Sequence, residues 1–205
     1  MSLAVVTPVL SLHYVTDDLG VELAELAADG IHDPATMPFS RPWTDVAPPE
    51  LQRNTLRFYW ETRAATRVEH WDIHLAALVD GAVVGMCSVE ATGFPATRSA
   101  ETGSWIGRRH QRRGYGREIR CAALHLIFEG LRGERATTRA WHDNAASLSV
   151  TRSLPYVQAG TARAERRGHP DTMLQFAMNR QQWDGLGRDD IGLVGIEAVR
   201  TQLGV

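Results

Sequence analysis

Apolar and polar positions alternate weakly over residues 9–15. The polar run Thr16-Asp17-Asp18 then has the form of a helix cap with acids in the first turn. Val21, Leu23, Leu26 and Ala27 recur at helical spacing as far as Gly30, so the chain opens as a strand followed by a helix. Residues 32–49 hold five prolines with Phe39 and Trp43 among them; this excludes a regular helix and predicts a long loop that carries aromatic surface. Behind Pro48-Pro49, the placement of Leu51, Leu56, Phe58, Tyr59 and Trp60 predicts an amphipathic helix to about residue 65.

Two apolar runs, residues 73–79 and 82–90, flank Asp80-Gly81, the dipeptide best suited to a type I′ turn, and predict a hairpin. A loop with Gly and Pro follows, then a strand over residues 100–106 that runs straight into Gly107-Arg108-Arg109-His110-Gln111-Arg112-Arg113-Gly114-Tyr115-Gly116. Ile119, Ala122, Ala123, Leu126 and Ile127 mark one face of a helix over about 117–131. Residues 136–141 are strand-like. Asp143-Asn144 opens a helix over 145–154 that Pro155 stops, and residues 172–178 make a last strand. The tail, 185–205, predicts an irregular crossing and a short helix over 196–203. Strands and helices mixed in this order predict one α/β (α+β) domain spanning 1–205, with a core of about 9–183 and a C-terminal extension of 184–205.

Composition narrows the chemistry. A net charge of −2, from 22 basic and 24 acidic side chains, gives no field to hold a polyanion, so nucleic acid is not an expected partner, and the Arg108-Arg109 and Arg166-Arg167 pairs read as solvated or phosphate-facing. Cys87 and Cys121 sit in apolar segments and read as core residues. No window reaches the ~18 apolar residues of a membrane span, and the first residues carry no basic, then apolar, leader; a cytoplasmic protein is expected. His70 and His74 lie four apart at a strand entry with no third ligand in view, so no metal is expected.

The strand that stops at a glycine-rich loop and resumes as a helix gathers free backbone N–H groups at the positive end of a helix dipole, a place that binds phosphate. Gly114 and Gly116 allow close backbone approach, while Gln111, Arg112, Arg113 and Arg117 add donors and charge. Neither the mononucleotide loop nor the dinucleotide fingerprint is present. Gln111-Arg112-Arg113-Gly114-Tyr115-Gly116 resembles instead the Gln/Arg-x-x-Gly-x-Gly/Ala signature of the GNAT superfamily of acetyltransferases. Three further segments resemble the group of that superfamily that acetylates ribosomal-protein N-termini. They are the strand at Glu101-Thr102-Gly103-Ser104-Trp105-Ile106-Gly107, the Asn-x-x-Ser segment Asn144-Ala145-Ala146-Ser147, and the closing strand with Arg180-Gln181-Gln182-Trp183. The resemblance spans roughly residues 12–183. One departure stands out: Leu154-Pro155-Tyr156 replaces the usual Leu-Gly-Phe/Tyr, and proline cannot adopt the left-handed stop that glycine supplies, so the turn there must differ.

The resemblance implies a mixed, mostly antiparallel sheet with helices on both faces and a V-shaped split, and acetyl transfer from acetyl-coenzyme A to an amine of a protein N-terminus or small molecule. It implies that residues 111–117, Tyr115 included, cradle the pyrophosphate, that a thioester-holding N–H lies at 105–107 around Ile106, and that Asn144 and Ser147 flank the pantetheine arm, with the Ser147 hydroxyl reaching the sulfur. Glu101 is the first candidate base and Glu90 the second. Phe39 and Trp43, with Met37, are candidates for an apolar wall at the acceptor, and His142 for a contact with it. A binding module that holds acyl-coenzyme A without catalysis, and an antibiotic-modifying acetyltransferase, remain open alternatives. The oligomeric state stays open in the sequence; the relatives offer a homodimer by analogy only.

Overall fold

The computed structural model describes residues 2–205. The strands are β1 (Ala4–Val6), β2 (Ser11–Tyr14), β3 (His70–Val79), β4 (Ala82–Thr92), β5 (Ser99–Ile106), β6 (Arg135–Trp141), β7 (Val157–Arg166), β8 (His169–Asn179) and β9 (Gly192–Val194). They form one sheet in the order β7-β8-β6-β5-β4-β3-β2-β1-β9. Among the described residues only the β5–β6 neighbours are parallel. The helices are α1 (Asp17–Ala28), α2 (Glu50–Ala65), α3 (Phe94–Thr97), α4 (Tyr115–His125), α5 (Ala145–Arg152), α6 (Arg180–Asp184) and α7 (Ile196–Leu203). A mixed, mostly antiparallel sheet with helices on both faces is what the resemblance implied.

Local chemistry explains the main elements. Thr16 caps α1 by accepting from the Leu19 N–H, and Asp17 and Asp18 sit in its first turn. Asp80 and Gly81, with φ of 49° and 79°, make the expected left-handed hairpin turn between Val79 and Ala82. A bulge at Ala77/Leu78 then shifts the β3–β4 register by one residue. On one face of the sheet, α1 and α2 bury Leu23, Leu26, Leu51 and Tyr59 against Ala76, Met86 and Trp105. On the other, the apolar stripe of α4 packs with Cys87, Val89, Ala100 and Ala136.

Five elements differ from the sequence-based expectation. The whole of β7 escapes the hydrophobic pattern, because this edge strand is mostly exposed and carries Gly, Thr and Arg where a buried strand would be apolar. β1 and β9, three residues each, are too short to leave a period, and β9 pairs with β1 inside the tail read as irregular. The loop after β4 contains the single turn α3. The helix expected from residue 117 begins at Tyr115, and its last turn, Leu126–Gly130, is a π-helix. Residues 184–205 join the main sheet and core: Val199 and Leu203 are fully buried, and Arg188 pairs with Glu118 of α4 at 2.7 Å. At Pro155 the turn does differ as expected, because α5 ends on Ser153 in the right-handed region, with φ of −78°.

Among the described residues no helix is long and apolar enough to cross a membrane.

Candidate functional site

The one parallel pairing is short. β5 and β6 are in register only at Ser99–Arg135, Ala100–Ala136 and Glu101–Thr137. Threonine side chains stitch the next step, Thr138 donating to the Thr102 carbonyl at 3.0 Å and Thr102 to the Thr137 carbonyl at 3.3 Å. Beyond that point β5 continues against β4 and β6 against β8, so the two strands part and leave a V-shaped split with Glu101 at its vertex.

At the open end of the β5 arm lies the glycine-rich loop. Gly107 donates its N–H to the Val84 carbonyl and Arg108 to Gly30, which fixes the exit from the strand. Arg112 and Gly114 then take left-handed conformations, φ of 61° and 83°, and Gly114 caps α4 without a side chain. Among the described residues, the N–H groups of Arg112, Arg113, Gly114, Tyr115 and Gly116 meet no protein acceptor. Five consecutive amides at the positive end of a helix make an anion cradle, and a Cβ added at Gly114 would meet nothing within 4 Å, so the cradle is open on its outer side. At Gly116 a Cβ would stand 3.1 Å from Val150 of α5 and 3.6 Å from the Ile106 side chain, which leaves room for backbone but not for branching.

The side chains of this loop divide into two kinds. Gln111 does not face outward as a ligand donor: its amide donates to the carbonyls of Ile31 at 2.7 Å and Ile106 at 2.8 Å, and so holds the loop to the strand end. Arg112, Arg113 and Arg117 are exposed, and among the described residues no carboxylate pairs with them. Partial burial, followed by the positive field of Arg109 and Arg113, holds the His110 imidazole below its ordinary range.

Across the vertex, on the α1/α2 face, carboxylates line up. Asp72 lies directly opposite Glu90, and Glu90 directly opposite Glu101. Burial raises the pKa of Glu101, with Arg139 opposing and Glu90 reinforcing the rise; burial and then Asp72 raise that of Glu90. Arg139, two residues past the last parallel pair, forms an ion pair with Glu101 at 2.8 Å and lies 3.8 Å from Glu90. Asp72 in turn pairs with the buried His74 at 3.2 Å. Sequence reasoning missed Arg139, Asp72 and His74; the alternation of β6 would have put Arg139 on the same face as Trp141.

The proline-rich segment straps both arms of the split. Trp43 packs on Trp105 of β5 with centroids 6.0 Å apart, and on Phe39 at 5.2 Å. From the β6 side, Trp141 donates to the Phe39 carbonyl at 3.0 Å, Asn144 to Pro38 at 3.4 Å and Arg166 to Met37 at 2.8 Å. Arg167 clamps Asp45 at 2.7 Å and the Pro34 carbonyl at 3.1 Å. Met37 is buried, while Phe39 and Trp43 stay half-open.

Three further candidates are placed as follows. The Asn144 side chain caps α5 by accepting from the Ser147 N–H at 3.1 Å, and its amide holds the strap, so it serves the fold. Ser147 is half-buried in the first turn of α5 with no protein partner for its hydroxyl among the described residues. His142 is exposed and turns to Asp171 at 3.2 Å, in a network with Arg166, away from the carboxylate row.

Residues 12–156 match the family model described as the acetyltransferase (GNAT) domain. Among solved structures, the chain is similar to Mycobacterium smegmatis RimJ in complex with a coenzyme A disulfide, at 17% identity and a TM-score of 0.69, covering 92% of this chain and 94% of that one. It is also similar to RimL, a ribosomal alpha-N-protein acetyltransferase in complex with coenzyme A, at 17% identity and a TM-score of 0.66, covering 85% and 96%. A third is yncA of Salmonella typhimurium with its cofactor acetyl-coenzyme A, at 15% identity and a TM-score of 0.60, covering 83% and 94%. At these identities the likeness concerns the fold.

Proposed function

The chain belongs to the acetyltransferase (GNAT) family, and from that premise we propose that it transfers the acetyl group of acetyl-coenzyme A to a primary amine, on a protein N-terminus or a small molecule, in the cytoplasm. The observation that carries the reading is the run of five amides from Arg112 to Gly116 that, among the described residues, meet no protein acceptor, set at the mouth of the split between β5 and β6. Acetyl-coenzyme A supplies the activated acetyl group. In this reading the amides hold the pyrophosphate, Arg112, Arg113 and Arg117 neutralise it, and Ile106 lines the β5 arm along which the pantetheine runs.

Glu101 stands at the vertex, where the acetyl end arrives. The acceptor amine must lose a proton to act as a nucleophile, and a carboxylate whose pKa is raised by burial takes that proton more readily than an ordinary one. Glu90, directly opposite, draws a cationic amine toward the site and serves as the second carboxylate. Arg139 keeps Glu101 oriented. Ser147 offers its hydroxyl proton toward the sulfur. Phe39, Trp43 and Trp105 form the apolar wall against which the acceptor's carbon skeleton packs.

The test is incubation with labelled acetyl-coenzyme A and a panel of peptides with free N-termini and small primary amines. Acetylated product above the buffer rate for at least one class supports the proposal. Tight coenzyme A binding with no transfer to any amine would favour a non-catalytic binding module instead.

A further inference from the structure

Between α4 and α5 lies a polar cluster with no task in the reading above. Arg120 of α4 is 3% exposed, and among the described residues its Nε and Nη1 have no hydrogen-bond partner. Among the described residues no carboxylate pairs with it. Thr151 of α5, fully buried, and Tyr156, just beyond α5, each hold a hydroxyl that is also without a partner among the described residues. The guanidinium lies 5.9 Å from the centroid of the Tyr156 ring. A buried cation with no counter-charge is a costly arrangement, and such groups persist where something outside the fold supplies the acceptor.

Its position indicates what that is. Gly116 touches Val150 of α5, and Arg120 lies one turn further along the same stripe of α4. It therefore sits one turn deeper along α4 than the pyrophosphate cradle, on the stripe that faces α5 and Tyr156, and close enough to the vertex for Glu101 to feel its charge. The other titratable groups around it come from each neighbouring element: Cys87 of β4, Glu101 of β5 and Tyr156. On its own helix are Cys121 and Glu118, the latter already paired with Arg188 at 2.7 Å. Burial pushes the Cys87 thiol up to about 12 and raises Glu101 as well, and Arg120 opposes the rise in both, so its field reaches both sides of the sheet at this point.

We propose that Arg120 stabilises the negative charge that develops on the coenzyme A sulfur as the acetyl group leaves, with the Tyr156 and Thr151 hydroxyls lining the same space. The inference rests on the transferase reading of the split. In the transfer the amine nitrogen bonds to the acetyl carbon and the C–S bond breaks. The electron pair stays on sulfur, and the proton from nitrogen passes to the vertex carboxylate or to water. A thiolate there is the counter-charge that Arg120 lacks, whereas the intact thioester is not, so the interaction strengthens along the reaction.

The experiment is a titration of the thiol of bound coenzyme A, read by the ultraviolet absorbance of the thiolate, in the unaltered protein, Arg120→Met and Arg120→Lys. In the unaltered protein the bound thiol titrates at least about one unit below an ordinary thiol near 8.5, a tenfold gain in thiolate. Arg120→Met abolishes that depression and lowers kcat by about 100-fold, the scale of losing one charge-stabilising donor. Arg120→Lys retains part of both. Affinity for desulfo-coenzyme A stays within about twofold in all three, and the melting temperature of Arg120→Met does not fall, since an unpaired buried charge is replaced by an apolar side chain. A bound thiol that titrates at or above its free value in the unaltered protein overturns the proposal with no variant needed, as does an unchanged thiol pKa in Arg120→Met. Failure of the unaltered protein to bind desulfo-coenzyme A would overturn the reading of the loop itself, a separate result.

Discussion

The two ends of the split are built on opposite plans. At the mouth, the anion cradle is contiguous: residues 111–117 supply the open amides and three exposed arginines with no carboxylate partner. At the vertex, nothing is contiguous. Glu90, Glu101, Arg139, Trp105 and the strap residues Phe39 and Trp43 come from four parts of the chain, and the cation there is already engaged by carboxylates. A site for a ligand of fixed chemistry can be written in one loop, while a site that must recognise one acceptor and move a proton depends on side chains held against each other by the sheet.

Perturbing each end should therefore give different signatures. The largest effect is expected at the mouth. Gly116→Val drives a branched side chain into Val150 and closes the room over the cradle, so coenzyme A affinity measured by calorimetry falls at least about 100-fold, about 2.8 kcal/mol. Unchanged affinity in a folded variant would remove the loop from the account. Next is the vertex. Glu101→Gln lowers kcat by roughly 100-fold with coenzyme A affinity intact. Because burial raises the Glu101 pKa, the carboxyl stays protonated to a higher pH than an ordinary glutamate near 4.3; activity should fall on the acid side from that higher pH, and the limb should vanish in the glutamine variant. A profile with the same acid limb in both proteins would assign the base elsewhere. Smallest are the exposed charges: Arg113→Ala or Arg117→Ala weakens coenzyme A binding by about threefold each and flattens its salt dependence, the scale of a solvent-screened ion contact. Equal salt slopes in variant and unaltered protein would show that these arginines stand clear of the phosphates.

This contrast also governs what the sequence could disclose. The cradle was legible because its glycines, its basic residues and the strand-to-helix change all fall within one short window, and the elements around it have strong periods. Even there, Gln111 read as a ligand donor, whereas its amide braces Ile31 and Ile106; nothing in a linear pattern tells which side of a loop an amide faces. The carboxylate row was hidden by the bulge. Counting back from the Asp80-Gly81 turn alone would set Asp72 opposite Val89; the extra residue on β4, Val84, which falls between the partners of Leu78 and Ala77, sets it opposite Glu90 instead. Glu90 and Glu101 were picked out singly, and only the register makes them neighbours. The strap was visible as a proline-rich loop, yet its anchors on Trp141, Arg166 and Arg167 lie more than 100 residues away in the chain. Arg120 left no signal, because a lone arginine within an amphipathic helix reads as a solvated side chain, and only its burial shows otherwise.

The central claim is that the backbone amides of residues 112–116 grip the diphosphate of coenzyme A. Titrating isotope-labelled protein with coenzyme A while following each backbone amide by nuclear magnetic resonance tests it directly. The account predicts that the resonances of Arg112, Arg113, Gly114, Tyr115 and Gly116 move first and furthest, downfield as they take up phosphate oxygens. Saturation with those five unmoved, or with the largest shifts mapping to another part of the fold, would contradict it.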